Sequence, residues 1–134
     1  MAEDLESYFR DFILILLEAS PFSELSEDPS VEYFESNIAR LEATIHYQDR
    51  SKLYARVTVD FAAGFPEFRH YSFHYETSNG RTIFRYDNST NHPNLPYFPH
   101  HKHEGPLESV SPSECPSLHS LQREIDRYLR REVN

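Results

Sequence analysis

Residues 68–88 read Phe-Arg-His-Tyr-Ser-Phe-His-Tyr-Glu-Thr-Ser-Asn-Gly-Arg-Thr-Ile-Phe-Arg-Tyr-Asp-Asn. Asn79-Gly80 stands between two runs that alternate apolar and polar residues. That dipeptide is a strong short hairpin signal, because both residues tolerate positive φ. With Asn79 and Gly80 as a two-residue loop, Ser78 opposes Arg81. Tyr75 then faces Phe84, and Phe73 faces Tyr86. These aromatics share one face, where cross-strand contacts stabilise a sheet. On the other face His74 opposes Arg85 and Ser72 opposes Asp87, with His70 one step further along. A slip of one residue would bury that polar set, so the register is well specified.

Working outward, two more runs have period two. Leu41, Ala43, Ile45 and Tyr47 alternate with Arg40, Glu42, Thr44 and His46. Leu53, Ala55, Val57, Val59 and Phe61 alternate with Tyr54, Arg56, Thr58 and Asp60. Both predict half-buried antiparallel strands, joined by a turn at Gln48–Ser51. Before them, Leu5, Tyr8, Phe9, Phe12, Ile13, Leu16 and Leu17 fall on one helical stripe. Ser20-Pro21 ends that helix, and the acidic stretch 21–31 reads as a loop. At the far end Leu118, Leu121, Ile125, Tyr128 and Leu129 form a second stripe over 117–131, with Pro116 near its start and Arg127, Arg130 and Arg131 at its end. The expected fold is α+β: a four-stranded antiparallel sheet, with room for a fifth strand, and an N-terminal and a C-terminal helix on one face. The 134 residues fit a single domain, 1–134.

Residues 89–116 hold six of the nine prolines. They read as a long ordered loop, with Tyr97 and Phe98 packed on the sheet. Long loops inside compact domains are commonly functional.

The formal charge of −9 is unevenly spread. Residues 1–35 carry 10 acids and one base, and the remainder balances at 12 and 12. Between Arg81 and His103 the cations Arg81, Arg85 and Lys102 face Asp87 alone, so a polyanion can meet that segment without strong repulsion. The acidic N-terminus (Glu3, Asp4, Glu6) is unlike a secretory signal. The apolar run 12–17 is far short of the roughly 20 residues that span a bilayer. A lone cysteine, Cys115, makes no internal bridge and fits a reducing cytoplasm. No membrane partner is expected.

Chemistry points to His92 and to Pro99-His-His-Lys-His103, with Arg85 and Asp87 ending the strand that leads there. Histidine exchanges protons near neutral pH. A metal-free nuclease needs a base for the ribose 2′-hydroxyl, an acid for the leaving oxygen and a cation for the phosphoryl charge. His92, His100, His101 and His103 supply the first two, Arg85 and Lys102 the third, and Asp87 orients a histidine. His74, Arg85 and Lys102 are the expected substrate contacts. The same residues permit a metal reading through His101, His103 and Asp87, or with His92, but no cysteine pair or HExxH accompanies them, and no cofactor is favoured. The bland alternative is a solvated loop above an ordinary polar sheet face carrying His46, His70, His74 and Arg56. His119 reads as surface, and Cys115 has no neighbouring base in sequence.

Tyr71-Ser-Phe-His-Tyr75, Arg85-Tyr-Asp-Asn88, His92-Pro93, Pro99-His-His-Lys-His103 and Pro116-Ser-Leu118 together resemble the TumE-type toxins of bacterial and archaeal toxin–antitoxin pairs. The likeness covers most of the chain, and the Pro-His-His-Lys-His block is its most specific part. It implies a small cytoplasmic toxin of the type II kind, neutralised by a cognate antitoxin encoded beside it. The family motif falls on His74, Arg85, Asp87, His92, His100, His101, Lys102 and His103. By analogy with other small toxins the expected activity is metal-independent ribonuclease. The charge of −9 argues against ribosome binding more than against cleavage of free or tethered RNA. Two rivals stand beside it: a non-catalytic protein-binding module of the same operon, and a metal-dependent nuclease.

Overall fold

The computed structural model describes residues 2–131, with the side chains of Ala2, Glu3 and Asp4 left aside. The expectations attached to Glu3, Asp4 and the chain ends lie outside the described residues. Helix α1 (Ala2–Leu17) is followed by β1 (Glu24–Leu25), β2 (Ser30–Glu35), β3 (Ile38–His46), β4 (Lys52–Asp60), β5 (Glu67–Glu76), β6 (Thr82–Asp87), β7 (His101–Glu104) and β8 (Ser109–Pro112). Helix α2 (Leu118–Arg130) follows. All strand pairs are antiparallel, in the order β1-β3-β4-β5-β6-β7-β8, with β2 also on the outer side of β3.

The sheet therefore has eight strands, where the alternation predicts four or five. The four extra ones lack the signal that reveals a strand. Every residue of β2 is exposed, so its pattern does not alternate. β1 has two residues. β7 reads His-Lys-His-Glu, without an apolar residue, and β8 ends on a proline. The acidic loop 21–31 thus contains β1 and the start of β2, and the long loop 89–116 contains β7 and β8. Tyr97 and Phe98 stand 56% and 45% exposed rather than packed on the sheet.

The helices cover one face. Leu5, Phe9, Phe12 and Leu16 of α1 and Leu121 and Ile125 of α2 join the inward side chains of β3 to β6 in one buried cluster. Burying each such large side chain contributes about 1.5–3 kcal/mol. The aromatics that the hairpin register places together, Tyr71, Phe73, Tyr75, Phe84 and Tyr86, are all in this core.

That register holds, but by another route. Tyr75 pairs with Phe84, His74 with Arg85, Phe73 with Tyr86 and Ser72 with Asp87. The loop is one residue longer than predicted. Gly80 donates to the Thr77 carbonyl, Thr77 donates to that of Arg81, and only Gly80 has positive φ, at 85°. This is a three-residue loop with a left-handed last position. Glu76 then pairs with Thr82, and a bulge before Tyr75–Phe84 absorbs the extra residue at Ile83. The β3–β4 turn repeats the pattern, with Arg50 at φ 68°.

Candidate active site

Strand alternation builds the site on the face away from the helices. Pairing aligns two cross-strand rows there. One runs Glu42, Arg56, Ser72, Asp87, His101. The next runs Thr44, Tyr54, His74, Arg85, His103. Because β7 lies beside β6, Asp87 faces His101 directly and Arg85 faces His103. His92, from the loop between these strands, folds over both. Its ring centroid lies 4.8 Å from that of His101 and 5.7 Å from that of His103, and the latter two are 4.9 Å apart.

Asp87 is the anchor. It is buried and accepts from the Ser89 N–H at 3.0 Å and from Arg85 Nε at 3.0 Å. Burial alone would raise its carboxyl. The Ser89 N–H, the neighbouring His101 and Arg85 outweigh that and hold it below the usual carboxylate range. Asp87 Oδ2 lies 3.6 Å from His103 Nε2. Desolvation, then the Arg85 charge, push His103 below the ordinary histidine range, against the pull of Asp87.

His101 is only 1% exposed. Its Nδ1 is 2.9 Å from the Pro99 carbonyl oxygen. A carbonyl only accepts, so Nδ1 carries a proton and Nε2 is the nitrogen left to take a further proton or a ligand. That Nε2 lies 2.9 Å from Asp87 Oδ1, yet makes no hydrogen bond.

Not every sequence-predicted residue joins this cluster. Lys102 alternates onto the helix face, pairs with Glu124 of α2 at 2.8 Å and lies over the Tyr86 ring. Burial would lower its ammonium; hydrogen bonds with Glu124 and Tyr86 prevail and hold it above the usual lysine range. His100 stacks on Tyr71, with Nδ1 3.0 Å from its hydroxyl, on the same side as the core. Neither meets the other histidines. His74 is on the site's face, but its Nε2 is 2.9 Å from Thr82 Oγ1, toward the hairpin end. His119 is exposed, and Cys115 is half-buried beside Tyr71, with its thiol pushed up by desolvation.

Sequence reasoning missed Glu108. It sits in the β7–β8 turn at φ 50°, accepts from Arg85 Nη1 at 2.8 Å, and offers its backbone to His103. Its one sequence signal is an acid following Gly105-Pro106 in a turn. Missed too was a groove of about 400 Å³ that runs from Asp87 and Ser89 across Ser72 and His70 to Arg56 and Arg40.

A family model described as Toxin TumE matches residues 13–133. The chain belongs to the TumE toxin family. The matched span includes all eight strands, α2 and every residue of the cluster. TumE membership carries a toxin role and points to a cognate antitoxin as partner. Searches of curated proteins and of solved structures give no match. Among the described residues no helix is long and apolar enough to cross a membrane.

Proposed function

We propose that this TumE-family toxin is a cytoplasmic ribonuclease of a type II toxin–antitoxin pair, with its centre at Arg85, Asp87, His92, His101 and His103. What supports the reading is the convergence of three imidazoles, a carboxylate and a guanidinium, with the carboxylate Asp87 also lining an open groove. RNA cleavage needs a lone pair to take the 2′-hydroxyl proton, an acid for the leaving oxygen and a cation beside the phosphoryl group. One imidazole of the cluster takes the 2′-hydroxyl proton as base, and a second, protonated one gives a proton to the leaving oxygen as acid. His92, half-buried in its loop, is the member best able to reach a substrate. Arg85 supplies the cation, and Asp87 fixes the rings and Arg85 together. The groove leads the flanking nucleotides past Ser72 and His70. Lys102 and His100 act on the other face, as braces for α2 and for Tyr71.

Induced expression without antitoxin should arrest growth, and purified protein should shorten RNA. His92→Ala and Arg85→Lys should abolish both while the circular dichroism stays native. Growth arrest with intact RNA would retain the toxin and remove the ribonuclease. Undiminished RNA cleavage by both variants would remove the site.

A further inference from the structure

We infer that His92, His101 and His103 form a binding site for one divalent transition-metal ion, with the Asp87 carboxylate at its side. The inference does not depend on RNA being the substrate.

The first observation is the convergence of donors. One ring nitrogen from each of the three histidines lies within 4.8 Å of the others. In a tetrahedral zinc site with bonds of about 2.0–2.1 Å, donor nitrogens stand about 3.4 Å apart. Closing the widest gap therefore takes about 1.4 Å of ring movement. His92, on a loop between two strands, can provide it, while His101 and His103 stay fixed on β7.

The second observation is His101 Nε2, buried and without a hydrogen bond. A buried ring nitrogen left so is costly unless something unshared with the chain satisfies it. Its lone pair faces the cluster because Nδ1–H is committed to the Pro99 carbonyl. A backbone carbonyl accepting from the far nitrogen is the usual arrangement of a metal-ligating histidine, since it fixes tautomer and ring angle together. The backbone of Glu108 plays a similar part for His103.

The third observation is charge. His101 Nε2 and Asp87 Oδ1 stand 2.9 Å apart in a buried site, so an ion bound by the three rings would lie beside the carboxylate. One bound divalent ion meets all three lone pairs and the carboxylate at once. Imidazole donors select zinc and its transition-metal neighbours over magnesium or calcium, which prefer oxygen. Rings that ligate the ion no longer serve as base or acid, so at a phosphodiester centre the ion would take over from them by polarising a phosphoryl oxygen and acidifying a bound water.

The test uses full-length protein made without a histidine tag, equilibrated with micromolar zinc chloride and passed through a desalting column. Elemental analysis should find about one zinc per chain, and cobalt(II) should give a visible absorption band with tetrahedral intensity. His92→Ala, whose loop position spares the core, should weaken zinc binding at least about tenfold. His103→Ala should do the same, and the exposed His119→Ala should not. Wild type without zinc, or His92→Ala binding as wild type does, overturns the site. RNA cleavage by a wild type that takes up no zinc on equilibration would overturn the metal site and keep the ribonuclease. Zinc held through His92 in a protein that leaves RNA intact would do the reverse.

Discussion

Replacing Lys102 with methionine separates the two faces of β7. Lys102→Met keeps the aliphatic stem and removes the ammonium, which sits 2.8 Å from Glu124 Oε2 and 4.9 Å from the centre of the Tyr86 ring. The side chains of Lys102 and Glu124 are 15% and 23% exposed. Exposed pairs contribute about 0–1 kcal/mol, and breaking a fully buried one costs about 3–5. This pair falls between, so the loss should be about 2 kcal/mol. For a chain of this length that lowers Tm by about 6–8 °C. Combining Lys102→Met with Glu124→Gln should cost at least about 1 kcal/mol less than the two changes added. Because the folded pKa of Lys102 is raised, the contribution is complete below the unfolded value of about 10.4. It disappears only as pH climbs through the folded value, so the deficit should be constant around neutrality. Growth arrest, measured well below the variant's Tm, should persist. Unchanged urea stability together with lost toxicity would refute this account and return Lys102 to the chemistry.

Substitutions at three further positions probe the frame that holds the site. Gly80→Ala should destabilise by about 1 kcal/mol, since φ is 85° there with open space around a Cβ. Arg50→Gly, at φ 68° in the equivalent turn, should stabilise by up to about 1 kcal/mol; opposite signs in denaturant titrations are the check. Ser117→Ala should remove the N-cap that accepts from the Ser120 N–H and cost about 1 kcal/mol. Ser117→Asp should recover it, because the first turn of α2 holds no acid.

The core was legible in the sequence because each element there obeys one period. Leu5, Phe9, Phe12 and Leu16 repeat at helical spacing, and Tyr71, Phe73, Tyr75, Phe84 and Tyr86 at strand spacing. Hairpin pairing from Tyr75–Phe84 inward followed from that alternation even though the turn was misjudged. Asn79-Gly80 does not reveal that the loop holds three residues, since a bulge at Ile83 restores the same facing pairs. The site was half legible. His92, His101, His103, Arg85 and Asp87 stand out by residue type, but sorting Lys102 and His100 away from them requires knowing that 101–104 is a strand. Nothing in His-Lys-His-Glu announces it, because on that strand the polar face holds buried histidines and the helix face holds a paired lysine. Glu108 was hidden for a related reason: its role depends on a turn that exists only if β7 and β8 pair.

Charge on the polar face bears on how a nucleic acid would be held. Its arginines are already engaged. Arg40 pairs with Glu32 and Glu42, Arg56 with Glu42, Arg69 with Asp60, and Arg85 with Asp87 and Glu108. Each cation that would meet a phosphate thus carries a carboxylate with it, and the face attracts a polyanion weakly even though it is rich in arginine. Binding that neutralises Z phosphates loses affinity with salt at a log–log slope of about −0.7Z for single strands. With only Arg85 and one groove arginine turned to phosphate, the slope should be about −1 to −2. A fluorescence-anisotropy titration of a short single-stranded RNA at several salt concentrations reads it directly. A slope of about −4 or steeper would mean that the arginines exchange their carboxylates for phosphates, and recognition would then be mainly electrostatic. A shallow slope would place target choice in the shape and hydrogen-bonding groups of the groove, Ser72, His70 and Asn88, which an acidic chain can use without a basic surface.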